Sequence, residues 1–148
     1  METIPFRPAG LDHIVLRVKS APRALAFYEG VLGCRLERHQ ENIGLWQLRA
    51  GAALIDLVNI DGIVGRRGGA PPGSEAHNVD HIAIAIRPFD GPSLRAHLAA
   101  HDVPIEGGSD DNYGAGGPSP SIYIRDPDGN MIELMGPGSG ESPAAKSR

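Results

Sequence analysis

Apolar and polar positions alternate along several short stretches of this chain, and two of those stretches carry the same tripeptide. Residues 11–18 read LDHIVLRV and residues 79–86 read VDHIAIAI. Successive side chains of a strand point to opposite faces. Ile14, Leu16 and Val18 therefore share one face, and His13, Val15 and Arg17 the other. In the second stretch Ile82, Ile84 and Ile86 oppose His81, Ala83 and Ala85. A helical period follows each stretch. The first runs from about Ser20 to Leu32, with Ser20 as N-cap, Pro22 in the first turn and Gly33 at the end. Leu25, Tyr28, Val31 and Leu32 fall on one face of it. The second runs from about Pro92 to Ala100, with Leu94 and Leu98 as its apolar stripe.

Shorter strands are expected at 35–40, 44–49 and 52–59 after the first helix, and at 103–107, 119–124 and 131–135 after the second. The run DPDGN at 126–130 reads as the turn of a hairpin between the last two strands. Pro127 presets φ there, and Gly129 and Asn130 tolerate positive φ. The chain thus reads as β-α-β-β-β written twice, an α+β fold. One domain is expected over 10–136, with modules at about 10–60 and 79–136 and a Gly/Pro-rich linker at 61–78. Residues 1–9 read as an arm and 137–148 as a disordered tail.

Composition narrows the function. A chain of 148 residues with 41% hydrophobic residues buries a real core. A net charge of −4, scattered cations and 5% aromatics do not make a nucleic-acid surface. No apolar run approaches the roughly 20 residues that span a bilayer, and the N-terminus has no signal-peptide pattern. Cys34, the single cysteine, forms no internal disulfide, which fits a cytoplasmic setting.

The polar faces carry the chemistry. His13 and His81 stand at equivalent points of the repeat, Asp56 opposes Ile55 and Leu57, and Glu133 opposes Ile132 and Leu134. Two histidines and two carboxylates around one cavity suit a divalent ion such as Zn, Ni, Co, Mn or Fe, and leave positions open for a substrate with two neighbouring oxygens.

These segments, with ALAFYEGVLGCRL at 24–36 and SIYIRDPDGNMIEL at 121–134, resemble the vicinal oxygen chelate superfamily. That superfamily includes glyoxalase I, methylmalonyl-CoA epimerase, extradiol dioxygenases, and fosfomycin and bleomycin resistance proteins. The resemblance covers about residues 10–136. It implies two βαβββ modules forming a cup-shaped mixed sheet around a metal held by His13, His81 and Glu133. Asp56 falls where glyoxalase-type members have Glu and epimerase-type members Gln.

The implied activity is that of a glyoxalase-like lyase or isomerase, with enediolate-type proton transfer on a small substrate. Glu133 is then the first candidate base and Asp56 the second. The alternative is an Fe(II) extradiol-type dioxygenase. The spacing of Tyr123 to Glu133 matches that family's end motif, and Tyr123 would be catalytic. Residues 112–118 lack the histidine which that family has before this tyrosine. A second alternative is a non-catalytic protein that binds a small molecule or antibiotic. The expected partner is a second copy, as a homodimer.

Other residues are read more simply. Arg17 is taken as a solvated strand-end cation, with binding of an anionic group as the alternative, and 112–117 as a surface loop or mobile flap. Cys34 is expected in packing, and His39, His77, His97 and His101 at the surface.

Overall fold

The alternation and the caps build almost every element they predict. The computed structural model describes residues 4–141. In it β1 (His13–Val18) leads into helix α1 (Ala21–Gly30), then β2 (Arg35–Gln40), β3 (Leu45–Ala50) and β4 (Ala53–Asn59). The second half repeats this as β5 (Ile82–Ala85), α2 (Gly91–Ala100), β6 (Gly107–Gly114), β7 (Gly117–Arg125) and β8 (Met131–Met135). Ser20 caps α1, its hydroxyl accepting the Arg23 N–H at 3.5 Å. Asp90 does the same for α2, accepting from Ser93 at 3.2 Å, so that helix starts one residue before Pro92.

Each half makes one four-stranded sheet, ordered β1-β4-β3-β2 and β5-β8-β7-β6. The first strand of each module pairs in parallel with the last, and the other pairs are antiparallel. That mixed pattern is the two-module fold the repeat predicts. It leaves β1 and β5 as edge strands.

The predicted aliphatic faces are buried. Leu16, Val18, Ile55 and Leu57 of the first sheet join Ile122, Ile124, Ile132 and Leu134 of the second, with Phe27, Tyr28 and Leu98 from the helices, in one core cluster. Burying each such side chain stabilises the fold by about 1.5–3 kcal/mol relative to leaving it exposed.

Polar side chains lock the two halves together. Asp126, buried, accepts four hydrogen bonds: from the Tyr28 hydroxyl at 2.8 Å, the backbone N–H groups of Asp128 (2.9 Å) and Asn130 (2.8 Å), and Asn130 Nδ2 (2.8 Å). The 126–130 turn is the predicted hairpin, with Gly129 at φ 82°. Its last residue reaches further: Asn78 Nδ2 donates to both Asn130 Oδ1 and the Arg17 carbonyl at 3.0 Å. The Lys19 N–H donates to Asp128 at 2.9 Å. One turn of the second half is thereby tied to β1 and α1 of the first.

Three expectations are corrected. Residues 103–107 are not a strand: β6 begins at Gly107, and Val103 instead donates back to the Leu98 carbonyl at the end of α2. Pro104 there also has no N–H to give a ladder. Residues 112–117 are not a flap but the closed end of the β6–β7 hairpin, with Asn112 paired to Ser119 and Gly114 to Gly117. Arg17 is not a solvated cation, because its guanidinium donates to the carbonyls of Gly65, Gly68, Gly69 and Ala70 and holds the linker on β1.

The segment read as a tail from residue 137 is hydrogen-bonded as far as Glu141. Ser139 and Gly140 donate to Pro118 and Gly116, and Glu141 pairs with Arg87. Its remainder, 142–148, and residues 1–3 of the arm lie outside the described residues. Among those described, no helix is long and apolar enough to cross a membrane.

Tyr28→Phe should cost about 1–3 kcal/mol, since it removes one donor from a buried carboxylate without changing the ring. Urea unfolding would show it as a lower midpoint; an unchanged midpoint would mean that the Tyr28–Asp126 bond does not hold the halves.

Candidate metal-binding site

The register of the two sheets places the four predicted ligands in matching pairs. Asp56 lies beside Val15 on the parallel neighbour β1, two residues past His13. Glu133 lies beside Ala83 on β5, two residues past His81. The next strand inward repeats the match: Gln47 of β3 is directly opposite Asp56, and Tyr123 of β7 directly opposite Glu133. Residues directly opposite on an antiparallel pair share a face. Each half therefore presents one histidine, one acid and one polar partner of that acid on the face away from its core.

In the second half the contact is direct. His81 Nε2 lies 3.4 Å from Glu133 Oε2, a separation that two ligands of one small divalent ion adopt. The other oxygen, Oε1, accepts from Asn112 Nδ2 at 2.9 Å and from the Tyr123 hydroxyl at 3.0 Å. Glu133 is only 4% exposed. Burial pushes its carboxyl up, but hydrogen bonds from Asn112, Ser121 and Tyr123, with the charge of His81, outweigh this and hold it below the usual carboxylate range. The Tyr123 hydroxyl is shifted the other way, raised by its own desolvation and by its bond to Glu133. Its ring meets His81 edge-on, with centroids 6.1 Å apart.

In the first half Asp56 is 3% exposed. Its Oδ2 accepts from Gln47 Nε2 at 3.0 Å, and its Oδ1 is buried with no partner. A buried carboxylate oxygen left bare is costly unless a cation faces it. The bare oxygen, the 3.4 Å pair and the nitrogen–oxygen donor set all fit a divalent ion.

The repeated Asp-His-Ile tripeptide has a second meaning. Asp12 Oδ1 lies 2.6 Å from His13 Nδ1, and Asp80 Oδ1 lies 2.5 Å from His81 Nδ1. A carboxylate on Nδ1 holds the proton there and turns Nε2 outward as a lone-pair donor. The Asp12 hydrogen bond, followed by the charge of Asp56, raises the His13 pKa above its ordinary 6.5.

The four predicted ligands do not form one cluster among the described residues. Among the described residues no three His, Cys, Asp or Glu side chains converge where an ion could sit. A cleft of about 610 Å³ lies between the β1–β4 end and β5, lined by His13, Ile14, Leu54, Ile82 and Ala83 among others.

Sequence reading missed Asn112, Gln47, Ser121, Asp12 and Asp80. Only the two aspartates left a signal, by recurring at one place in the repeat. The remaining histidines stand apart from this site: His39 stacks on Trp46 at 4.6 Å, and His97 bonds the Val31 carbonyl at 2.8 Å.

Comparison with known proteins agrees with this architecture. The profile of the Glyoxalase/Bleomycin resistance protein/Dioxygenase superfamily matches residues 10–134. Virulence protein STM3117 of Salmonella typhimurium is 32% identical over 124 residues, which are 84% of this chain and 81% of that protein. The structure of the V. cholerae integron cassette protein VCH_CASS1 superposes with a TM-score of 0.69 at 28% identity, over 90% of this chain and 98% of that one. The lactoylglutathione lyase of Agrobacterium tumefaciens has the same fold, with a TM-score of 0.60 at 20% identity over 87% and 94%.

Asp12→Asn should move the His13 titration midpoint down toward 6.5, because it removes the carboxylate that favours the proton. Any stability from the Asp12–His13 pair is fully present below the unfolded-state pKa and is lost as pH rises through the raised folded value. Proton NMR of the His13 ring in metal-free protein reads the midpoint. No downward movement would show that Asp12 does not act on His13 in solution.

Proposed function

Because the chain belongs to the Glyoxalase/Bleomycin resistance protein/Dioxygenase superfamily, we propose that it is a divalent-metal enzyme of the glyoxalase-like lyase or isomerase type. Its substrate is a small molecule that chelates the ion through two neighbouring oxygens. The observation that carries this reading is Asp56 Oδ1, a buried carboxylate oxygen with no hydrogen-bond partner. It lies in one sheet at the point where Glu133 lies in the other.

His13, Asp56, His81 and Glu133 hold the ion, which is Zn, Ni, Co, Mn or Fe by its donor set. The ion, when bound, supplies Lewis-acid polarisation of the two substrate oxygens. The chain's own groups divide the remaining work. Glu133 has one oxygen saturated by donors and its carboxyl held below the usual range. Asp56 keeps one oxygen bare and has a single donor on the other. Glu133 is the first candidate for the proton-transferring carboxylate and Asp56 the second. Tyr123 is occupied with Glu133 and orients it.

A second copy of the chain completes the site. The described residues hold the four groups as two separate pairs on two sheets, and β1 and β5 each leave one edge unpaired. A two-fold dimer sets the His13–Asp56 face of one copy against the His81–Glu133 face of the other, and does so twice.

Two experiments test this reading. His13→Ala and His81→Ala should each abolish metal binding alone. Unfolded together and refolded, they should regain about a quarter of the wild-type sites by random pairing, because each mixed dimer rebuilds one intact site. No recovery would refute the shared site. Protein purified without added metal should carry near-stoichiometric Zn, Ni, Co or Mn and leave a panel of catechols intact in air. Bound ferrous iron with a yellow ring-opened product would make it a dioxygenase, and a metal-free protein that still binds small molecules would make it a sequestering protein.

A further inference from the structure

We infer that Asn112 is a positioning residue that forces Glu133 to bind through one oxygen alone. The inference rests on the metal-site reading above. A carboxylate oxygen has two lone-pair directions. On Glu133 Oε1 one accepts Asn112 Nδ2 at 2.9 Å and the other the Tyr123 hydroxyl at 3.0 Å. Asn112 also donates to the Tyr123 oxygen at 2.8 Å, so that hydroxyl is turned to give its own proton to Glu133. Oε1 has nothing left for an ion. Oε2 is the oxygen that faces His81.

The backbone is built to put Asn112 there. In the β6–β7 ladder Ser109 pairs with Ser121, but the next pair is Asn112 with Ser119. Three steps on β6 match two on β7, so β6 carries one extra residue as a bulge. Side chains alternate with period two. Without the extra residue Asp111 would take the Ser119 position, and Asn112 would point to the other face. The bulge therefore exchanges an acid for an amide donor on the site face. Ser121 Oγ lies 2.9 Å from the same Nδ2, a third neighbour for an amide that has two N–H groups.

The consequence is for the open positions around the ion. A carboxylate free to bind through both oxygens would occupy one more position. Tied through Oε1, Glu133 takes one, and the position saved is available to a substrate that brings two oxygens. Asp56 has no equivalent clamp, since one donor holds Oδ2 and Oδ1 stays bare.

The test uses Co2+ as the probe on the full-length chain. Its visible absorption weakens as coordination number rises, so the spectrum reports whether Glu133 binds with one oxygen or two. Asn112→Ala should weaken Co2+ binding ten- to a hundredfold, as loss of a ligand's hydrogen-bond partner does, and should lower the band intensity. Tyr123→Phe keeps the ring and removes only the other donor, and it should move both readouts the same way. Glu106→Gln, just before β6 and bonded to Arg125 rather than to the site, should leave both unchanged. Thermal unfolding of the metal-free variants separates a loss of fold from a loss of ligand geometry. If wild type binds Co2+ and both site variants match it in affinity and spectrum, the positioning role of Asn112 is overturned while the metal reading stands. If wild type binds no Co2+, the metal reading falls and this inference with it.

Discussion

The carboxylate of Asp126 is the constraint on which the arrangement of this molecule depends. It is buried and accepts four donors, one of them from a helix 98 residues earlier in the chain. A charge taken out of water holds its place only when such donors are complete. Tyr28 must therefore sit over the 126–130 turn, and Asn78 must bridge that turn to β1. The two sheets are thus joined through their helical sides, where one core cluster runs across both. Their other faces, with His13, Val15, Ala83 and Ala85 exposed, are left without cover. What the latch fixes on one side leaves the polar faces open on the other.

Those faces show how far a duplicated pattern constrains function. The repeat guarantees equivalent backbone positions, so a histidine two residues before the neighbour of an acid appears twice. It does not guarantee equivalent chemistry. The residue opposite each acid differs, Gln47 in one half and Tyr123 in the other. Only the second half adds a clamp from a third strand. One acid is held on a single oxygen by two donors, while the other keeps an oxygen bare. The two halves of a symmetric frame thus hold their acids differently.

Much of this was legible in the residues because it rests on period two and on turns. The aliphatic faces of β1, β4, β5 and β8 follow from alternation alone, and the DPDGN turn from its φ requirements. The positions of His13, Asp56, His81 and Glu133 follow from the polar face of the same strands. The second-half edge strand was not legible. β6 reads GGSDDNYG and buries almost nothing, so it carries no apolar alternation. Its register comes from β7, which is two-sided and long. Val103 and Ile105, more strand-like by composition, pack against the core as irregular chain instead. A strand defined by its partner rather than by its own side chains leaves no periodic trace.

The same reasoning explains why Asn112 escaped notice while Glu133 did not. Glu133 interrupts an aliphatic run, and an interruption on a predictable face is visible. Asn112 lies in a polar stretch on a strand whose register shifts by one residue, so its face depends on the bulge. The position of Glu133 is set by alternation, which sequence displays. Its orientation is set by an irregularity in pairing, which only the folded sheet displays. In a small two-sheet domain with few buried polar groups, one inserted residue in an edge strand thus decides how a carboxylate two strands away presents its oxygens.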